Sequence, residues 1–189
     1  MRKIIFSILM VLMVMYGNAQ FTVYAKFTLY NGGSLVDENA GNSHTGQILL
    51  GSYSDSEEQT LNIGSQSTGA GAGKIIFSPL MFSKPVSINS PQFSSMMASG
   101  TAFQKAEFSF YSNGKLVFMR TLGLVAFKSI ARSVWPCTPA CPPLIETISM
   151  EYGSAVNTFY PDSKGQPVKP VSAGWNRVKN VSITEPGSL

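Results

Sequence analysis

Apolar and polar residues alternate along most of this chain. Val23, Ala25, Phe27 and Leu29 fall on one parity, and Ala106, Phe108 and Phe110 repeat the pattern with Glu107, Ser109 and Tyr111 on the other. A side-chain period of two belongs to a half-buried strand. Further short strands are read at 47–53, 75–83, 116–127 and 146–152, between clusters of Asn, Gly, Ser and Pro. Ser112-Asn113-Gly114-Lys115 is a hairpin signal, because Asn-Gly takes the positive φ angles of a two-residue turn, so the flanking strands should pair antiparallel. One segment departs from the pattern: Ser90 as cap, Pro91 at the first helical position and Gly100 as a left-handed stop predict a short helix over 91–99. Phe93, Met96 and Met97 are expected on its buried face, the methionines as packing rather than a cofactor site. The fold class is mainly β.

Composition matters first at the N-terminus. Arg2 and Lys3 precede an apolar run from Ile4 to Met15, and Gly17 and Ala19 follow as a small-x-small step. This is the pattern of a secretory signal peptide, too short in its apolar part to span a bilayer, with cleavage expected after Ala19 and a mature chain starting at Gln20. No later stretch is long and apolar enough for a membrane helix, so the product is expected to be secreted or periplasmic. Removing Arg2 and Lys3 lowers 14 basic residues to 12 against 10 acidic, a formal charge of +2 in place of +4. The remaining cations, Lys26, Lys74, Lys84, Lys105, Lys128 and Lys169 among them, are scattered, which gives nucleic-acid binding no support. The mature length suits one well-buried domain.

The residues for common chemistries are sparse. His44 is the sole histidine; Ser43 beside it cannot serve as its nucleophile, since neighbours in a strand point to opposite faces. No G-x-S-x-G elbow is present. Asp55, Glu57 and Glu58 are read as a solvated turn rather than a carboxylate pair or cation site. With one His and two Cys, zinc lacks a ligand set, and no cofactor is implied. The run from Gly69 to Lys74 looks like a phosphate loop, but Thr68 and Ile75 stand where that pattern needs Gly and a hydroxyl residue, and a strand follows instead of a helix. Catalysis is therefore the weakest of the function classes.

Cys137 and Cys141 lie among Pro136, Pro139, Pro142 and Pro143. In an exported chain a disulfide between them is the default expectation, closing a short loop that displays itself and does not join a central strand.

Several stretches in order resemble the Hcp family (haemolysin-coregulated proteins), the ring-forming tube subunits of type VI secretion systems. They are GNSHTGQILLGSYS with His44, and GKIIFSPLMFSKPVSINSPQFSSMMASG with Gly73, Phe77, Phe82, Lys84, Ser90 and Pro91 in family-like places. AEFSFYSNGKLVFMRTLGLVAFKSI is similar to the next strand pair. The closing strands carry Ala173, Gly174, Trp175 and Asn176, where the family has a small residue, Gly, Trp and an Asp or Asn. The resemblance implies a compact antiparallel β-barrel of two sheets with one short helix on its side, hexameric rings that stack into a tube, and a lumen that can carry effector proteins. It brings no catalytic residues. Trp175 is expected in the barrel core or at its rim, with Gly174 letting the backbone turn beside it.

The domain reading is then 1–19 signal peptide, 20–180 Hcp-like barrel and 181–189 C-terminal tail. The leader and the Pro-rich cysteine loop depart from the family pattern, since tube subunits assemble in the cytoplasm. The alternative function is a secreted binding module that presents loops, including 132–144, to a glycan or a surface partner.

Overall fold

The computed structural model describes residues 21–33, 35, 44–60, 75–134, 144–161 and 169–185. The leader, the loop 61–74 with Gly73, and Cys137 and Cys141 lie outside the described residues.

Nine strands form one antiparallel sheet and two more form a small ribbon. β1 (Phe21–Leu29) pairs with β7 (Phe103–Ser112), β7 with β8 (Lys115–Val134), and β8 with β9 (Leu144–Phe159). β9 is long enough to hold two partners in succession on its other edge. β6 (Leu80–Pro85) pairs with its first half and β10 (Val171–Asn176) with its second. β11 (Val181–Ile183) then pairs with β10, so part of the stretch read from sequence as a tail is an edge strand.

The sequence suggested one strand over 47–53; the structure has two, β2 (Ile48–Leu49) and β3 (Ser52–Ser54). β2 pairs with β1 and β3 with β6, and between them Leu50 donates to Val23 O at 3.0 Å while Gly51 donates to Ser83 O at 2.8 Å. Two residues thus hand the chain from one side of the sheet to the other, and the pairings β1, β2/β3, β6, β9, β8, β7 return to β1. That circuit is the barrel. The stretch 75–83 is likewise divided, at Ser78-Pro79, into β5 (Ile75–Phe77) and β6, because proline has no N–H to give a ladder. β5 leaves the barrel to pair with β4 (Glu57–Gln59) as the separate ribbon.

The expected hairpin at Ser112 to Lys115 is present, with Asn113 at φ 51° and Gly114 at φ 75°. Alternation delivers the core: Ala25, Phe27, Ala106, Phe108, Leu122, Ile148 and Met150 are buried with Leu80 and Phe82. Phe27 is its centre, with Phe103 at 4.9 Å, Phe93 at 5.6 Å and Phe82 at 6.1 Å between ring centroids. The single helix among the described residues, α1 (Ser90–Ser99), lays Phe93 and Met96 onto this cluster, Phe93 lying 4.9 Å from Phe127.

Two details of α1 differ from expectation. Asn89 is its cap and Ser90 already lies in the first turn, its hydroxyl turned to other work. Met97 is exposed, because consecutive helical residues are about 100° apart and Met96 takes the inward position. The end is as expected: Gly100 at φ 65° closes the helix, with Thr101 N–H on Met96 O and Gly100 N–H on Met97 O.

Candidate functional site

Four clusters hold the residues singled out by sequence. The first lies under α1. Lys84 on β6 and Glu146 on β9 are register partners, both fully buried, with Nζ to Oε1 at 3.2 Å. Ser90 Oγ donates to the same Oε1 at 2.6 Å and accepts from the Ser87 N–H at 2.9 Å. Lys84 also donates to Pro85 O at 2.8 Å and to Ser87 Oγ. On the other side of β9, Arg132 is the register partner of Glu146, with Nε 3.2 Å from Oε2. One carboxylate therefore sits between two cations contributed by both neighbouring strands. Sequence pointed to Lys84 and Ser90 but not to Glu146, which has no local signal; only cross-strand register brings it there.

The second cluster anchors the ribbon. Arg120 on β8 is buried, and its Nη2 lies 2.7 Å from Glu57 Oε1 and 3.1 Å from Asp55 Oδ2. Its Nη1 donates to Asn157 Oδ1 at 2.8 Å, and Nη2 reaches Tyr152 Oη at 3.2 Å. Asp55 and Glu57 are thus not the solvated turn expected from sequence; they reach over a buried guanidinium that would otherwise lack a counter-charge. Burial disfavours the charge on Arg120, yet the Glu57 hydrogen bond and the surrounding charges carry its pKa above the ordinary value. Burial, followed by the Asp55 charge, pushes the Tyr53 phenol well up, and burial also raises Tyr152 despite Arg120.

The third cluster is aromatic. His44 stacks on Tyr24 at 3.8 Å with the rings 11° from parallel, meets the edge of Tyr111 at 5.1 Å, and shares a hydrogen bond with Gln47 Oε1 at 3.1 Å. His44 thus packs its loop onto the outer face of β1 and β7.

The fourth contains the Gly174-Trp175 step. Gly174 has no positive φ; what demands glycine is close approach, since a Cβ there would lie 2.1 Å from Ala155 O and 2.7 Å from Val156 Cα. The turn expected at Gly174 comes two residues later, from Asn176, whose buried Oδ1 accepts the N–H groups of Val178 and Lys179 at 3.0 and 2.8 Å. Trp175 is half-buried and outside the core cluster, at the rim, where it lines an open groove of about 820 Å³ with Gln59, Ile75, Ile76, Phe77, Arg177 and Asn180. Arg177 stands over both Tyr152, at 4.8 Å, and Phe77, at 5.0 Å. Phe82, by contrast, is wholly core, and Pro91 opens α1.

Among the described residues no group of three or more His, Cys, Asp or Glu could hold a metal ion, and no helix is long and apolar enough to cross a membrane. An antiparallel barrel pinned by buried ion pairs and carrying one lateral helix defines a structural class of β-protein, and the comparisons narrow it. Residues 31–159 match the family described as "Type VI secretion system effector, Hcp", and the chain belongs to that family. Its fold is shared with a structure described as a type six secretion system protein (20% identity, TM-score 0.73, 87% of this chain and 100% of that one). It is shared also with Hcp1 from Salmonella typhimurium (17%, 0.66, 88% and 100%) and a type VI secretion system effector from Yersinia pestis (13%, 0.62, 82% and 98%). No curated protein sequence matches the chain.

Proposed function

We propose that this chain is an exported, ring-forming Hcp protein: cleaved after Ala19, outside the cytoplasm, and assembled as a closed hexameric ring able to stack into a tube whose lumen admits effector proteins. The observation that carries the reading is a pair of open strand edges on a barrel of this family. β7 accompanies β8 only as far as Val125, so 129–134 are paired by β9 alone, and β11 is paired by β10 alone among the described residues. An exposed strand edge is a template for another strand, and a heterologous contact that closes on itself satisfies each copy equally. Charged residues make up 13% of the chain, which leaves little to repel neighbours. The apolar Phe21, Phe159 and Val171, exposed at the barrel end where β1 and β10 begin and β9 finishes, suit a ring-to-ring face.

Light scattering on the mature chain at micromolar concentration tests the assembly: a mass of six protomers is expected, and a monomer mass that persists as concentration rises overturns it. Terminal sequencing of native protein tests export, with Gln20 expected as the first residue; intact Met1 in a cytoplasmic fraction overturns that part.

A further inference from the structure

The groove at the barrel rim combines a ring face with hydrogen-bonding groups, of Trp175, Arg177 and Asn180, that no other described residue uses. Among the described residues Trp175 makes no contact with another aromatic ring, and its indole N–H has no partner. The Arg177 guanidinium is held over the Tyr152 and Phe77 rings, and its Nη1 donates to Tyr152 O at 2.7 Å and lies 3.5 Å from Glu151 Oε2, while the N–H groups of Nε and Nη2 have no partner among the described residues. The Asn180 side-chain amide is likewise unpartnered among the described residues, and Gln59 faces it from the ribbon.

These groups are pre-positioned. Trp175 is fixed between Ala155 and Ser182 in the sheet, and Gly174 beside it cannot bear a side chain. The Asn176 side chain closes the 176–180 turn that presents Arg177 and Asn180, and Asn180 itself holds φ 55°. Rigid elements presenting an apolar ring with a few convergent polar groups make a small-molecule site.

We propose that this groove binds a carbohydrate, with one sugar ring lying against the Trp175 indole and its hydroxyls meeting Arg177, Asn180 and Gln59. A sugar has apolar C–H faces and a belt of hydroxyls that both donate and accept. The Asn180 amide, which does both, and the N–H groups of Arg177 and Trp175, which donate, complement such a belt, whereas a purely apolar ligand would leave them unpaired. A nucleic-acid base would also stack, but such sites run along a basic channel. Here Arg177 is the one cation among the described lining residues, and Glu151 Oε2 already lies 3.5 Å from its Nη1, so the groove is no basic channel for a phosphate backbone. Binding at this rim does not depend on the ring.

The experiment places the mature chain, residues 20–189, on an array of bacterial and host oligosaccharides. The best-bound one is then titrated in solution in a Trp135→Phe background, so that Trp175 is the reporter. Saturable binding with a change in Trp175 emission is expected. Trp175→Ala should weaken it about tenfold or more and Trp175→Phe much less, as loss and retention of a stacking face require. Gln59→Ala, on an exposed ribbon position, should weaken it severalfold in a protein of unchanged circular dichroism. Absence of binding by the parent chain overturns the proposal. So does binding that survives both Trp175→Ala and Gln59→Ala. If Trp175→Ala leaves glycan binding intact and lowers the assembled mass, the groove is an interface between copies and the proposal falls. A monomer that binds sugar would instead sink the ring and leave this inference standing.

Discussion

Lys84 Nζ lies 3.2 Å from Glu146 Oε1, and neither side chain reaches solvent. Removing two charges from water costs several kcal/mol per ion, which the pair offsets only through its further bonds to Ser90, Ser87, Pro85 O and the nearby Arg132. Lys84→Met leaves the buried carboxylate with only the partly exposed Arg132 as counter-charge and is expected to destabilise the fold by about 3–5 kcal/mol. The double change Lys84→Met with Glu146→Leu should lose much less, because no charge is stranded. Urea unfolding of the three proteins checks this; equal losses in single and double variants would show that packing, not charge, governs the site.

Gly174→Ala sets a Cβ 2.1 Å from the Ala155 carbonyl oxygen, which is backbone and cannot swing away. The expected result is displacement of β10 and a loss of about 3 kcal/mol, the upper end for overpacking. Gly114→Ala is a useful contrast: it has open space but φ 75°, so its smaller cost is conformational alone. Thermal melts of both separate the two causes.

The phenol of Tyr53 supplies a pH signature. Burial, with Asp55 next in importance, raises its pKa in the folded chain, and a raised acid contributes stability that is intact below the unfolded value near 10 and lost as pH climbs beyond it. Melting temperature should therefore hold through pH 9 and fall above about 10, with Tyr53→Phe flattening that alkaline limb. An unchanged limb would assign it to other groups.

Arg120 ties the ribbon to the barrel through Asp55 and Glu57. Arg120→Met should therefore free β4 and β5 before the barrel melts, read as faster amide exchange at 57–59 and 75–77 than at the β8–β9 ladder. Simultaneous loss of protection everywhere would mean that Arg120 supports the core instead.

A disulfide between Cys137 and Cys141 would close five residues, worth roughly 2 kcal/mol in the chain-entropy model. Replacing both by serine should lower stability by no more than that, and native protein should show no free thiol. Reactive thiols in protein recovered from outside the cytoplasm would remove the expectation.

Much of the architecture was legible from the chain alone. Period-two alternation marks the strands of Phe27 and Phe108, Asn113-Gly114 marks a hairpin, and Pro91 and Gly100 bracket the helix, because each is a local preference of a few adjacent residues. What the alternation could not show was where a continuous apolar stretch changes partner. The breaks at Leu50-Gly51 and Ser78-Pro79 follow from which strand lies alongside, a property of residues far away in sequence. The same holds for the buried charges. Glu146, Arg120 and Asp55 look like ordinary surface residues in the sequence; register across β6, β8 and β9 sets Lys84 and Arg132 on either side of Glu146, and the return of the ribbon sets Asp55 against Arg120. Gly174 shows the division most sharply: sequence identified the residue and assigned it a turn, while the tertiary structure requires it for the approach of Ala155 O, since steric exclusion between strands is decided by their packing and not by either strand alone.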